Sequence, residues 1–349
     1  MPLTLPHRLV AGRTAQTGER PQQALDELRL LSHGAPPIPD AATPDQAFLE
    51  ALFLERLGRW NPDRWRPCMQ PFGIRSVSPR PHEIAVRVPA EFLPDIIHTV
   101  MPCWAVDDDS PDYTEVHGIP GLRARYEHGR GFLYRPGFDG RIAFPATPGL
   151  WRKAIKVAAD LYGPGDQVRI PWQLSPHDWH AGEVRFTEAW PRTFSPAGSS
   201  YLGSGFESRI LRRLPGLCQL PRANWHDLWV NHYSDGPDIQ FEWQNGPAHG
   251  AVLERLLDPL FGPGAELELQ PGQSAEDCYS GTGGNVTVRA IGRPGGTIVL
   301  RRGLSPNDGR LSEIAGEIWA QRCAEREALE TKHGYRIGRR PMAELAGTQ

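Results

Sequence analysis

Ten residues are written nearly twice in this chain: LYGPGDQVRI from Leu161 to Ile170, and LFGPGAELEL from Leu260 to Leu269, 99 positions apart. Gly-Pro-Gly is a strong local constraint. Glycine takes the left-handed conformation that closes a helix, and proline cannot continue the helical hydrogen-bond ladder. In both places the phrase ends a longer pattern. Ile142 and Phe144 alternate as a strand, Ala154, Ile155, Ala158 and Ala159 keep helical spacing, and Val168, Ile170 and Trp172 alternate again. In the second copy Ile239, Phe241 and Trp243 alternate, Val252, Leu253, Leu256 and Leu257 keep helical spacing, and Leu267 and Leu269 resume the strand period. Strand, helix, stop and strand over about thirty residues is the signature of a β-α-β unit. Two such units predict an α+β fold with an internal duplication, packed in the manner of a ferredoxin-like split β-α-β.

Around these units the pattern predicts a modular chain: a flexible N-terminal arm over 1–42 with a short helix near Gln22–Leu31, an N-terminal α/β segment over 43–118, the first unit over 119–195, the second with its hairpin over 196–300, and a C-terminal helix and tail over 301–349. Thr43 and Pro44 open a helix whose Ala47, Phe48, Ala51, Leu52 and Leu57 share a face. Ile84, Val86 and Val88 alternate, and a helix follows from about Glu91 to Met101. The stretch LRARYEHGRGFLYR is a hairpin turning at His128–Gly131, and NVTVRAIGRPGGTIVLRRG is a second one. From Asp308 to Lys332 a long helix carries Leu311, Ile314, Ala315, Ile318, Trp319 and Cys323 on one side.

The net charge of −3 speaks against bulk nucleic acid or an anionic membrane as the main partner. Thirty-five arginines stand against three lysines. Because they are spread along the chain, they fit the codon usage of a GC-rich, bacterial genome better than a nucleic-acid footprint. Five cysteines form no C-x-x-C pair, which fits reduced thiols and a cytoplasmic setting. No signal peptide and no membrane span are expected.

Several clusters invite chemistry. SPHDWHAGE offers His177, His180 and Glu183, a nitrogen and oxygen set suited to a divalent metal such as zinc, against the alternative of ordinary loop polarity. NWHDLWVNHYSD offers His226, Asp227 and His232 for general acid–base work, against half-buried structural histidines. The acidic run Asp107–Asp109 with Asp112 and Glu115 does not have the spacing of a calcium loop. The glycine-rich stretches SGTGGN and GRPGG lead into strands, as hairpin turns do, and not into a helix as a phosphate cradle would. SRILRRL places Arg209, Arg212 and Arg213 on one helical face, which with Trp319 could meet a partner.

No catalytic set is complete. The expectation is therefore a non-catalytic binding or assembly subunit of a bacterial complex, of phage or secretion type, with another protein subunit as partner and no cofactor. Two alternatives stay open: a metal-dependent hydrolase or nuclease using His177 and His180, and an RNA-binding ferredoxin-like protein. The last requires aromatic residues on an open sheet face, for which Trp172 and Trp243 are the candidates.

Overall fold

The computed structural model describes residues 5–59, 73–105, 116–162, 168–189, 205–218, 223–233, 236–245, 247–263, 267–269, 284–290 and 297–303. The expected C-terminal helix with Trp319, the acidic run 107–115, residues 280–283 of SGTGGN and the stretch GRPGG lie outside them.

Three helices open the chain: α1 (Leu5–Thr17), α2 (Pro21–Leu30) and α3 (Pro44–Arg59). The segment expected as a flexible arm is thus largely helical, and its attachment is polar. Arg13 is buried, donates to both carboxylate oxygens of Glu19 and reaches the carbonyl of Pro37. An apolar stripe is the usual sign of a docked helix. Here Arg13, Gln16 and Thr17 are the buried positions, so that sign is missing.

The first sheet is built from β1 (Ser76–Arg80), β2 (Glu83–Arg87), β4 (Arg123–Glu127), β5 (Arg130–Tyr134) and β6 (Arg141–Phe144), with α4 (Leu93–Val100) between the second and third of these. Its order is β1-β2-β6-β5-β4, antiparallel except for the parallel pair β2–β6. The alternation that marks β2 and β6 in sequence places Ile84, Val86, Ile142 and Phe144 in the core, where Leu133 of β5 joins them. The helix α5 (Pro148–Asp160) covers that inner face. Thr147 caps it by accepting from the Leu150 N–H, and Trp151 lies against Gly131, where a Cβ would come within 2.2 Å of the indole. The β4–β5 turn is tighter than the four residues expected. Glu127 pairs with Arg130, and both His128 and Gly129 take positive φ, the two-residue turn whose twist suits a hairpin.

A short pair, β3 (Trp104–Ala105) and β7 (Val168–Arg169), runs antiparallel beside this sheet. The helices α6 (Pro171–Leu174), α7 (Ala181–Ala189), α8 (Phe206–Leu211) and α9 (Leu214–Cys218) then lead to the second sheet. That sheet contains β8 (Ala223–Tyr233), β9 (Gly236–Asn245), β10 (Leu267–Leu269), β11 (Gly284–Ala290) and β12 (Thr297–Gly303), with α10 (His249–Leu256) between β9 and β10. Its order is β10-β11-β12-β9-β8, antiparallel except for the parallel pair β12–β9.

The two sheets follow one path: hairpin, helix, three-stranded meander, and a parallel pairing that joins the last strand to the second. In the first, Ile84 sits opposite Ile142, 58 residues on; in the second, Ile239 sits opposite Ile298, 59 residues on. One core runs through both sheets and α3. The class is α+β, with two mixed sheets.

The detail differs from a split β-α-β. β6 has β2 on one side and β5 on the other, so the chain leaving α5 cannot return beside it, and β7 pairs with β3 instead. Nor does a strand run through Trp172, because Pro171 lacks the N–H a ladder needs and starts the turn α6. The repeated phrase therefore follows α5 in one place and α10 in the other, and these helices do not occupy equivalent places. The first sheet also takes β1 and β2 from the segment assigned to 43–118. Among the described residues, no helix is long and apolar enough to cross a membrane, and Cys103 and Cys218 are free and buried.

Candidate functional site

Some of the sequence-derived candidates fall among the described side chains. Glu183, in the first turn of α7, is fully buried and binds the guanidinium of Arg123 through both oxygens, at 2.6 and 3.1 Å. It also accepts from the N–H groups of Gly121 and His180. Arg123 donates in turn to the carbonyls of Ser175 and Asp178. The loop carrying HDWH is thus fastened to β4 by a charged clamp, and the carboxylate counted as a metal ligand is occupied by that clamp. His177 is exposed, whereas the Nδ1 of His180 accepts from the Gly182 N–H and its ring lies 5.3 Å from that of Trp104. Among the described residues no group of three His, Cys, Asp or Glu side chains is placed to hold a metal.

β8 is a strand, with His226 opposite Trp243, Asp227 opposite Glu242 and His232 opposite Pro237. The side chains of these three candidates lie outside the described set. The arginines of SRILRRL do not form an open helical face for a partner. Arg212 is fully buried and donates to both oxygens of Glu50 on α3 and to the carbonyls of Pro39 and Arg80. Arg213 is buried against the carbonyls of Phe261 and Ile38, and burial lowers its pKa to about 10. Arg209 pairs with Asp40 at 3.1 Å. The helix is short and packed on α3, so Arg212 and Arg213 serve the interior. Trp172 and Trp243 are buried too, and Trp243 donates to the Pro247 carbonyl.

An ionisable group sits deep between α3 and α8. Glu207 is fully buried, and burial pushes its carboxyl up to about 8, with Glu55 adding to the rise. It holds its proton at neutral pH.

The outer face of the first sheet carries the arrangement that the sequence reading missed. Directly opposed residues on neighbouring strands share a face. Arg125 stands opposite Phe132, and Tyr134 opposite Arg141. Three guanidiniums, of Arg125, Arg130 and Arg141, lie 6.0, 5.6 and 5.1 Å from the centre of the Phe132 ring, and that of Arg125 is also 4.5 Å from the ring of Tyr134. Their electrostatic attraction to the ring faces holds them flat against the sheet. Glu83 lies beneath and pairs with Arg130 at 2.7 Å and Arg141 at 2.9 Å, while Glu127 pairs with Arg125 at 3.1 Å. At the β1 border Arg80 binds Glu27 of α2, which raises its pKa above the ordinary arginine value.

The layer is asymmetric in depth. The side chains of Arg80, Arg125, Arg130 and Arg141 are 31–42% exposed, whereas those of Glu83, Glu27 and Glu127 are 4, 10 and 32% exposed. Solvent therefore meets the cations, and most of the balancing anions lie below them. Such pre-set guanidiniums suit planar, two-pronged acceptors. The signal was present in the sequence as the alternation of Arg123 and Arg125 facing that of Arg130, Phe132 and Tyr134. It was hidden by counting arginines along the chain and not across strands.

Compared with family models, curated proteins and solved structures, the chain matches none of them.

Proposed function

We propose that the chain is a non-catalytic binding or assembly subunit that engages another protein through the outer face of its first sheet. The observation that carries this reading is the arginine layer over Phe132 and Tyr134: three cations with fixed orientation, exposed on a sheet face. Fixing side chains before a partner arrives lowers the ordering cost of association. The use of Glu183 as a structural counter-ion supports it further, since the sharpest candidate for metal chemistry has another task. The setting proposed with it is a bacterial complex of phage or secretion type, in keeping with the arginine-over-lysine usage. The shared path of the two sheets supports descent from one duplicated unit, with equivalent isoleucines 155 positions apart at Ile84 and Ile239 and not at the 99-residue spacing of the repeated phrase.

An RNA-binding role has one observation in its favour, an aromatic pair on an outer sheet face. Phe132, however, is roofed by guanidiniums and not open for base stacking.

The test is co-purification of tagged chain from its native cells, followed by native mass spectrometry. The expected result is a stoichiometric protein partner retained by the wild type and by Arg301→Glu on the second sheet, and lost from Arg125→Glu. A partner retained equally by Arg125→Glu, or a wild type recovered only as bare monomer, defeats the proposal.

A further inference from the structure

We infer that the occupant of the arginine layer is an acidic, extended segment of the partner protein, whose Asp and Glu side chains take the guanidinium edges that face solvent. The inference rests on the binding-subunit reading and names its chemistry. The layer is already organised around carboxylates. Glu83 sits under Arg80, Arg130 and Arg141, and Glu127 holds Arg125 and reaches Arg141 at 3.9 Å. Each guanidinium has five N–H donors in a fixed fork, more than one internal carboxylate engages. Donors are therefore left over on side chains that remain 31–42% exposed.

The same internal acids argue against a nucleic-acid backbone. A phosphodiester chain carries one charge at every residue and gains affinity from dense cation arrays. Here Glu127 lies in the face itself, half-exposed between Arg125 and Arg141. An acidic peptide can place its carboxylates between such points and leave neutral residues opposite Glu127. Tyr134, partly buried under Arg125, and the exposed Arg87 at the far end of β2 extend the surface along a strand-like path.

Glu127 supplies a sharp prediction. It competes with an incoming carboxylate for Arg125, so its removal should strengthen binding, an outcome that a merely structural role would not give. The experiment is fluorescence anisotropy on the full chain, with a labelled peptide of about ten residues in which Glu alternates with Ser as probe and a labelled oligouridylate of equal length beside it, across about 50 to 200 mM salt. The acidic peptide is expected to bind with salt-dependent affinity, to weaken about tenfold with Arg125→Glu, to tighten about threefold with Glu127→Gln, and to ignore Arg301→Glu. Arg125→Lys, which keeps the charge and loses the fork, is expected to recover part of the affinity. Arg125 and Glu127 are both partly exposed, so these variants keep the fold, and melting curves check that they do.

Preference for oligouridylate, absence of peptide binding, or binding indifferent to both Arg125→Glu and Glu127→Gln overturns the acidic-segment inference. If the co-purified partner still depends on Arg125 in that case, the binding-subunit reading survives and only the partner's chemistry is wrong. If that dependence is also missing, both fall.

Discussion

The two sheets trace the same path and present different faces. Both pair isoleucines across a central parallel step, Ile84 with Ile142 and Ile239 with Ile298, and both bury the alternating positions on either side. On the outer faces the likeness ends. The first shows Arg125, Arg130 and Arg141 locked over a buried ring. Among the side chains described there, the second shows Asn285, Thr287, Gln240 and Glu242, with Arg301 3.7 Å from Glu242. Inward positions fix the backbone path, because burial of apolar surface is the dominant favourable term. Outward positions are free of that demand, so two sheets of one path can present different surfaces.

The strongest way to break the comparison is to ask whether the halves are energetically separate. Arg212 and Glu50 form a fully buried pair between α8, which precedes the second sheet, and α3, which precedes the first. Arg212→Met leaves Glu50 charged and unpaired, and is expected to cost about 3–5 kcal/mol in urea unfolding, with a single transition reporting on both sheets. Pairing it with Glu50→Leu is expected to recover most of the loss. Two separated transitions in the wild type would show instead that the halves stand alone.

Next in size are Ile142→Ala and Ile298→Ala, equivalent central positions with no exposure. Each is expected to cost about 2–5 kcal/mol. Equal losses sharpen the equivalence, whereas a loss at only one breaks it.

A third test uses acids near the two halves. Glu50 has an arginine partner, whereas no ion pair of Glu207 is seen among the described residues, and burial dominates its environment. The folded-state pKa of Glu207, about 8, lies above the ordinary 4.5, so the native chain holds the proton more tightly than the unfolded one. The stability this group contributes is full below pH 4.5 and is lost as pH rises through about 8. Glu207→Gln removes that titration. It should exceed the wild type by about 2–4 kcal/mol at pH 8 and converge on it near pH 4.5, as read by urea midpoints across pH.

The smallest effect on stability is expected where the effect on binding is largest. Arg125→Ala and Arg301→Ala each remove a partly exposed ion pair, and each should shift stability by less than about 1 kcal/mol. Only the first should release the partner.

The parts of this molecule that were legible in the sequence are those governed by short-range pattern. The helix from Pro44, the strand through Ile84 and Val86, the helix after Phe92 and the β4–β5 hairpin all fall where alternation or helical spacing placed them. Pairing between distant strands was not legible, since nothing local says that β6 will take β2 as its neighbour and leave no edge for the chain after α5. The repeated phrase misled for the same reason: a helix stop describes the helix it ends and not the sheet it serves. The buried arginines were misjudged because charge normally predicts exposure. Arg13, Arg123 and Arg212 each lie wholly inside with a glutamate and main-chain carbonyls around them. The arginine layer stayed hidden because its members come from three strands and meet only in the assembled sheet.

The pair between Glu50 and Arg212 has a consequence for biosynthesis. All strands of the first sheet precede α8 in the chain, so on the ribosome they can begin to pair before Arg212 is made. The helix α3 then carries Glu50 at a surface that will become interior, and the matching cation is 162 residues further along the chain. Until it arrives, water must stand in for the guanidinium, and the early half stays hydrated along α3. Synthesis of α8 ends that interval: Arg212 displaces the water and joins the earlier half to the one still being made.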